Sequence, residues 1–144
     1  MVSVVFRGAL WLDGVATCVI EAREPDCNLK ISKLIKSSKQ FSQLHAVILS
    51  RRLLPNRKIS IERLAGALRL PVIAIKRIGR PRTRNANYLD MAVGGRHILV
   101  AAAGFGKEET ESVYRIACSP SATIPEAVRV ADLLAEQLNR TVGA

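Results

Sequence analysis

No stretch of this chain approaches the roughly 18 consecutive apolar residues that a membrane-spanning helix needs, so a membrane partner is not expected. The N-terminus, MVSVVFRGALWLDGV, alternates in hydropathy and carries Asp13, which marks a strand and not a signal peptide. Cysteine is scarce: Cys18, Cys27 and Cys118 are odd in number and lack metal-ligand spacing, so they read as reduced packing residues of a cytoplasmic protein. GxSxG, P-loop and GxGxxG motifs are missing, and with them the common nucleophile and phosphate-cradle signatures. There is no DxD, DxE or HxH cluster, no internal repeat and no low-complexity tract. No cofactor is expected.

What the chain does have is a concentration of positive charge. Eleven of the 22 lysines and arginines, and only one acid, Glu62, lie between Arg51 and Arg84. Those 34 residues therefore hold the entire +10 surplus of the 144-residue chain, and the remainder is neutral. Like charges repel, and folding needs no such block, so it reads as a surface for a polyanion rather than a solvated face. With 49% hydrophobic residues the chain is built to fold, and its length suits a single domain over 1–144.

Hydropathy patterning sets out the elements. Residues 2–7 and 14–22 suit two strands of an antiparallel hairpin, with Gly8 and the Asp13-Gly14 pair as turn signals between them. Trp11, in that loop, reads as a core or interface residue rather than a base-stacking one. Pro25 and Asp26 open a helix to about Lys39, with Leu29, Ile31, Leu34 and Ile35 inward. Lys30, Lys33, Lys36 and Lys39 form a basic stripe along it. His45–Leu49 suits a buried strand. Ser60 can cap a helix with Ile61, Leu64, Ala65 and Leu68 inward and Arg63 and Arg69 outward. Residues 71–76 suit another buried strand. Strand, helix and strand in this order predict a βαβ unit with a parallel pair.

Two basic loops flank that unit, 51–58 with Pro55 and Asn56, and 76–84 with Gly79 and Pro81. The second alternates Arg80, Arg82 and Arg84, a pattern for following a phosphate backbone, since guanidinium groups fork onto phosphate oxygens and stack on bases. Asn85, Asn87 and Tyr88 add polar and stacking groups. The expected nucleic-acid contacts are Arg51, Arg52, Arg57, Lys58, Lys76, Arg77, Arg80, Arg82 and Arg84, with Lys30 and Lys33 on the preceding helix. Beyond the loop, 96–103 suits a strand, and His97 at its start reads as an edge residue, not a ligand. Gly104 and Gly106 turn the chain into a helix with Glu108, Glu109 and Glu111 near its start and Val113, Ile116 and Ala117 inward. Thr123-Ile-Pro-Glu126 has capping-box spacing ahead of a last helix whose Val128, Ala131, Leu134, Ala135 and Leu138 share one side.

Two stretches carry a family resemblance. VVFRGALWLDGV (4–15) and IPEAVRVADLLA (124–135) resemble the signatures of an archaeal family, domain-of-unknown-function family ninety-nine, which is itself similar to endonuclease V. QLHAVIL and LPVIAIKR fit between them in order. The resemblance implies an α/β, RNase H-like (endonuclease V-like) three-layer domain with a mixed sheet and an N-terminal hairpin, with the first strand missing. Nucleases of that fold hold Mg²⁺ with carboxylates, because a hard cation takes oxygen ligands. Here the family's acidic position after the VIL strand is Ser50, followed by Arg51 and Arg52. Asp13 falls in a turn and Asp132 in a helix, and Asp90 remains.

These departures imply a scaffold without its nuclease site: no enzyme and no metal, but a non-catalytic RNA-binding protein. The expected partner is structured RNA, with ribosomal RNA favoured, in a ribonucleoprotein such as the ribosome. A protein partner at the sheet edge left by the missing strand is compatible with this. The alternative is a metal-dependent, endonuclease V-like nuclease acting on DNA or RNA through Asp13, Asp90 and others.

Overall fold

The computed structural model describes residues 1–21, 23–53, 59–80 and 86–143. The chain opens with an antiparallel hairpin, β1 (Val2–Arg7) and β2 (Trp11–Thr17). Helix α1 (Cys27–Lys36) and a short 3₁₀ turn (Phe41–Gln43) lead into β3 (Val47–Leu49). Then follow α2 (Ile61–Leu68), β4 (Val72–Ile78), β5 (Leu89–Val93) and β6 (Arg96–Ala103). Helices α3 (Lys107–Ala117) and α4 (Glu126–Val142) complete it. The four later strands form one mixed sheet in the order β3-β4-β6-β5, and the hairpin is a separate two-stranded sheet.

The expected βαβ unit is present. Ser60 Oγ accepts the Arg63 N–H at 3.2 Å, capping α2, and β3 runs parallel to β4 with Leu49 opposite Ala74. Alternation along β4 divides the core in two. Val72 and Ala74 pack with Ile31, Ile35, Leu64 and Leu68 of α1 and α2. Ile73 and Ile75 pack with Met91, Ile98, Val100, Tyr114 and Val128, the last two from α3 and α4. The result is three layers: α1 and α2, the sheet, then α3 and α4. It is a mixed α/β domain with four helices among the described residues.

Several sequence expectations are corrected. The hairpin turn is Gly8–Leu10, where Gly8 has a φ of +58°, so Trp11, Asp13 and Gly14 lie within β2 and not in the loop. Mid-strand Gly14 makes room for Gln40, whose Nε2 donates to the Asp13 carbonyl at 3.1 Å; a Cβ there would stand 2.9 Å from Gln40 Oε1. Trp11 is 66% exposed. On α1, Leu29 is exposed and Cys27, Asn28 and Ser32 are buried with Ile31 and Ile35. Asn28 is inside because its Oδ1 accepts the Ser60 N–H at 3.2 Å, tying α1 to the start of α2. On α3 the fully buried residues are Thr110 and Tyr114, and Ile116 is exposed.

Thr123 does not cap α4. Pro125 holds that position without a side-chain bond, and the Thr123 carbonyl instead accepts Tyr114 O–H at 3.0 Å. On α4 itself, Val128 is buried and Leu138 is exposed.

Strand β5 is an element that the patterning above did not predict. It joins β6 through Gly94 and Gly95, both left-handed (φ +57° and +75°), as a tight two-residue hairpin requires.

Candidate nucleic-acid interface

Parallel pairing sets the site. Because β3 and β4 run in the same direction and Leu49 stands opposite Ala74, Ser50 and Arg51 leave β3 beside the last half of β4. Ser50 is a fastening point. Its Oγ donates to Asp132 Oδ2 of α4 at 3.0 Å and accepts the Arg52 N–H at 3.1 Å, while its carbonyl accepts the Leu53 N–H at 3.1 Å. Arg51 and Arg52 are thereby held in an exposed turn at the end of the sheet.

Strand β4 contributes through a bulge. Its register with β6 shifts between Ile75 and Arg77, so Lys76 is the inserted residue. A bulge re-aims side chains. Ile75 and Ile78, three residues apart, both reach the α3–α4 layer, while Lys76 and Arg77 are both exposed. Beyond them Gly79 turns with a φ of +112°, its N–H on the His97 carbonyl at 2.7 Å, and Arg80 is exposed. The strand expected over 71–76 thus runs on to Ile78 and takes in Arg77, which was expected in the basic loop.

Between β4 and α4 lies a cleft of about 210 Å³. Ile75, Ile78, Ile124, Val128 and Leu133 form its apolar surface, and Ser50, Arg51, Arg52, Arg129, Asp132 and Glu136 its polar surface. Arg129 forms an ion pair with Glu126 (whose carboxyl is held below its usual range by that hydrogen bond), and Glu136 pairs with Arg140 at 2.6 Å. Arg51, Arg52, Lys76, Arg77 and Arg80 form no ion pair among the described residues. Five cations without an ion pair among the described residues therefore gather at one end of the sheet, with Asp132 and Glu136 lining the cleft beside Arg51 and Arg52.

Lys30 and Lys33 are not brought to this end. They sit on α1, in the opposite helical layer. Lys30 Nζ donates to Glu24 Oε2 at 2.7 Å and to the Val19 carbonyl at 3.0 Å, and the Glu24 bond raises its pKa above the ordinary value. Arg57, Lys58, Arg82 and Arg84 lie outside the described residues. The acids considered as ligands are apart. Asp13 pairs with Arg7 at 2.5 Å, Asp90 bonds His97 Nδ1 at 3.1 Å, and Asp132 bonds Ser50. Among the described residues no three His, Cys, Asp or Glu side chains come together as a metal site. No helix there is long and apolar enough to cross a membrane.

The α4 side of the cleft was missed in the sequence. Its signal was present: Arg129, Asp132, Leu133 and Glu136 recur at i, i+3, i+4 and i+7, a second helical stripe beside the apolar one.

The class of protein is thus a three-layer, mixed α/β domain with a basic sheet end. A solved protein of unknown function from Archaeoglobus fulgidus shares the fold, with a TM-score of 0.77 at 20% identity over 95% of this chain and 88% of that one. No protein-family model matches the chain. It is 30% identical over 158 residues to a UPF0215 protein of Methanosarcina acetivorans, covering 94% of this chain and 80% of that one. A UPF0215 protein of Methanothermobacter thermautotrophicus is 26% identical over 156 residues, with 94% and 76% covered. The chain belongs to the archaeal UPF0215 family.

Proposed function

We propose that this protein is a non-catalytic RNA-binding protein, built on an endonuclease V-like, RNase H-like scaffold, and a structural component of a ribonucleoprotein such as the ribosome. The observation that carries the reading is the set of five cations, Arg51, Arg52, Lys76, Arg77 and Arg80, that form no ion pair among the described residues and lie at one end of the sheet. Phosphate groups would replace the missing counter-charges there. Asp13, Asp90 and Asp132 do not fit a metal-dependent nuclease site, because each is bonded to a different neighbour in a different element. Static phosphate binding needs net positive charge, and a Mg²⁺ site needs the reverse.

Binding to a structured RNA at several salt concentrations tests this reading. Log affinity should fall linearly with log salt, because phosphate contacts release counterions. A flat plot would sink it. In the native cell, the protein should co-sediment with ribosomal particles.

A second reading is compatible with the first. Among the described residues the hairpin is not paired with the four-stranded sheet; β1 packs against α4, and β2 and β3 each pair on one side only. Unpaired edges are templates for strand addition, and Leu10 and Trp11 are exposed on the same hairpin. A protein partner at these edges would give a complex that survives high salt, measurable by sedimentation in the absence of RNA.

A further inference from the structure

We propose that the cleft between β4 and α4 takes one unpaired base of the bound RNA and that guanine is preferred; the inference rests on the RNA-binding reading above. A cleft of about 210 Å³ is smaller than a typical pocket of roughly 300–1,000 Å³ for a whole small molecule. It suits a flat group inserted from a chain that stays outside. Single-stranded RNA offers such groups, since its unstacked bases can be splayed out and read on their Watson–Crick edges. Ile78, Ile124 and Leu133, the last about half exposed, supply apolar surface for a ring, and Ile75 and Val128, themselves buried, close the floor beneath it. Arg51 and Arg52 line the same cleft and are placed to hold the phosphates that flank an inserted nucleotide.

The preference comes from Asp132. Its only hydrogen-bond partner among the described residues is the Ser50 hydroxyl, on Oδ2. An ionised carboxylate accepts on both oxygens, at about four lone-pair sites. Guanine presents two adjacent donors, N1–H and N2–H, which match one carboxylate in parallel. Adenine, cytosine and uracil each set a donor beside an acceptor, and that acceptor would face a carboxylate oxygen. Glu136 is a weaker reader because it is already paired with Arg140.

The test uses the full chain and short oligouridylates that carry one central guanine, adenine or cytosine, with the all-uridine strand as reference. The guanine strand should bind about tenfold tighter or more, in line with the discrimination a good bidentate pair provides. Asp132→Asn keeps an acceptor for Ser50 and should erase the preference while leaving the salt slope in place. Leu133→Trp, at an exposed position, should fill the cleft with its own ring and give the same loss without disturbing the core. Equal affinity for all four strands with a steep salt slope would overturn the base pocket and leave RNA binding standing. A flat salt slope would overturn both. Full guanine preference in Asp132→Asn would also overturn the pocket.

Discussion

The double substitution Arg51→Ala/Arg52→Ala is the most direct probe of the basic sheet end. Five cations there form no ion pair among the described residues, and these two leave β3 beside the bulged end of β4. If each of the five meets one phosphate of a single strand, the log–log salt slope is about −3.5, at roughly −0.7 per contact. The variant should retain three contacts and a slope of about −2.1. Between about 50 and 200 mM salt, the wild-type affinity should then fall about a hundredfold and that of the variant about twentyfold. On duplex RNA, if the per-contact value of roughly −0.9 for double-stranded DNA carries over, the slope should change by about 1.8.

Fluorescence anisotropy of a labelled RNA hairpin reads both slopes directly. Lys30→Ala/Lys33→Ala is the matched control, since it removes the same charge from α1, in the other layer, where Lys30 is already bonded to Glu24. Its slope should match the wild type. Equal changes of slope in the two variants would refute a placed phosphate-binding surface. Non-specific attraction by total charge would then explain the binding better than a placed surface does.

Three further outcomes follow from the packing. Gly94→Ala would put a Cβ 2.6 Å from the Ala122 carbonyl at a φ of +57°, and should cost about 3 kcal/mol, read as a lower urea midpoint. Asn28→Ala removes the side chain that accepts the Ser60 N–H, and should cost about 1–2 kcal/mol in the same assay with an unchanged m-value. Asp26 is held below its ordinary 3.8 by the Leu29 N–H and Arg63, and Glu126 below its usual range by Arg129. Depressed carboxylate pKa values add stability above the unfolded-state value, so that part of the stability should be full at neutral pH. It should be lost as pH falls below about 4, and a pH series of thermal melts on Asp26→Asn should flatten that limb.

The middle of the chain was legible because local signals and tertiary demands agree there. Ser60 sits where a cap is needed, the apolar residues of α2 recur with the helical period, and VIAI is buried on both faces. Legibility failed where a distant residue decided the outcome. Asn28 is inside because Ser60, 32 positions later, needs an acceptor. Gly14 is a strand residue because Gln40 docks against it. Strand β5 was overlooked for a different reason. Met91 and Val93 alternate with exposed Asp90 and Ala92 ahead of a Gly-Gly turn, but the run is only five residues long and no element was assigned between Tyr88 and Arg96. At the site, charge counting found Arg51 and Arg52 but could not separate Lys30, which is paired with Glu24, from Lys76, which has no ion pair among the described residues. It also gave no reason to expect Ser50 and Asp132, 82 residues apart, to meet.

That meeting gives a last test of what the sheet end is built for. Ser50→Asp would replace a hydroxyl that donates to Asp132 with a second carboxylate about the same distance away, 3.0 Å in the wild type. Two carboxylates that close cannot both ionise at ordinary cost, so the pair's pKa rises above the unfolded-state value. A raised carboxylate pKa makes the folded state the better proton binder. The variant should then be less stable than wild type at neutral pH by about 1–2 kcal/mol and regain stability as pH falls through the raised value. Arg51 and Arg52 stand beside the new charge and would offset part of the penalty by pairing with it, which removes them from RNA. Weaker RNA binding and a pH-dependent stability deficit should therefore appear together. A deficit that does not change with pH would mean that the Ser50–Asp132 contact acts through packing and carries no electrostatic role.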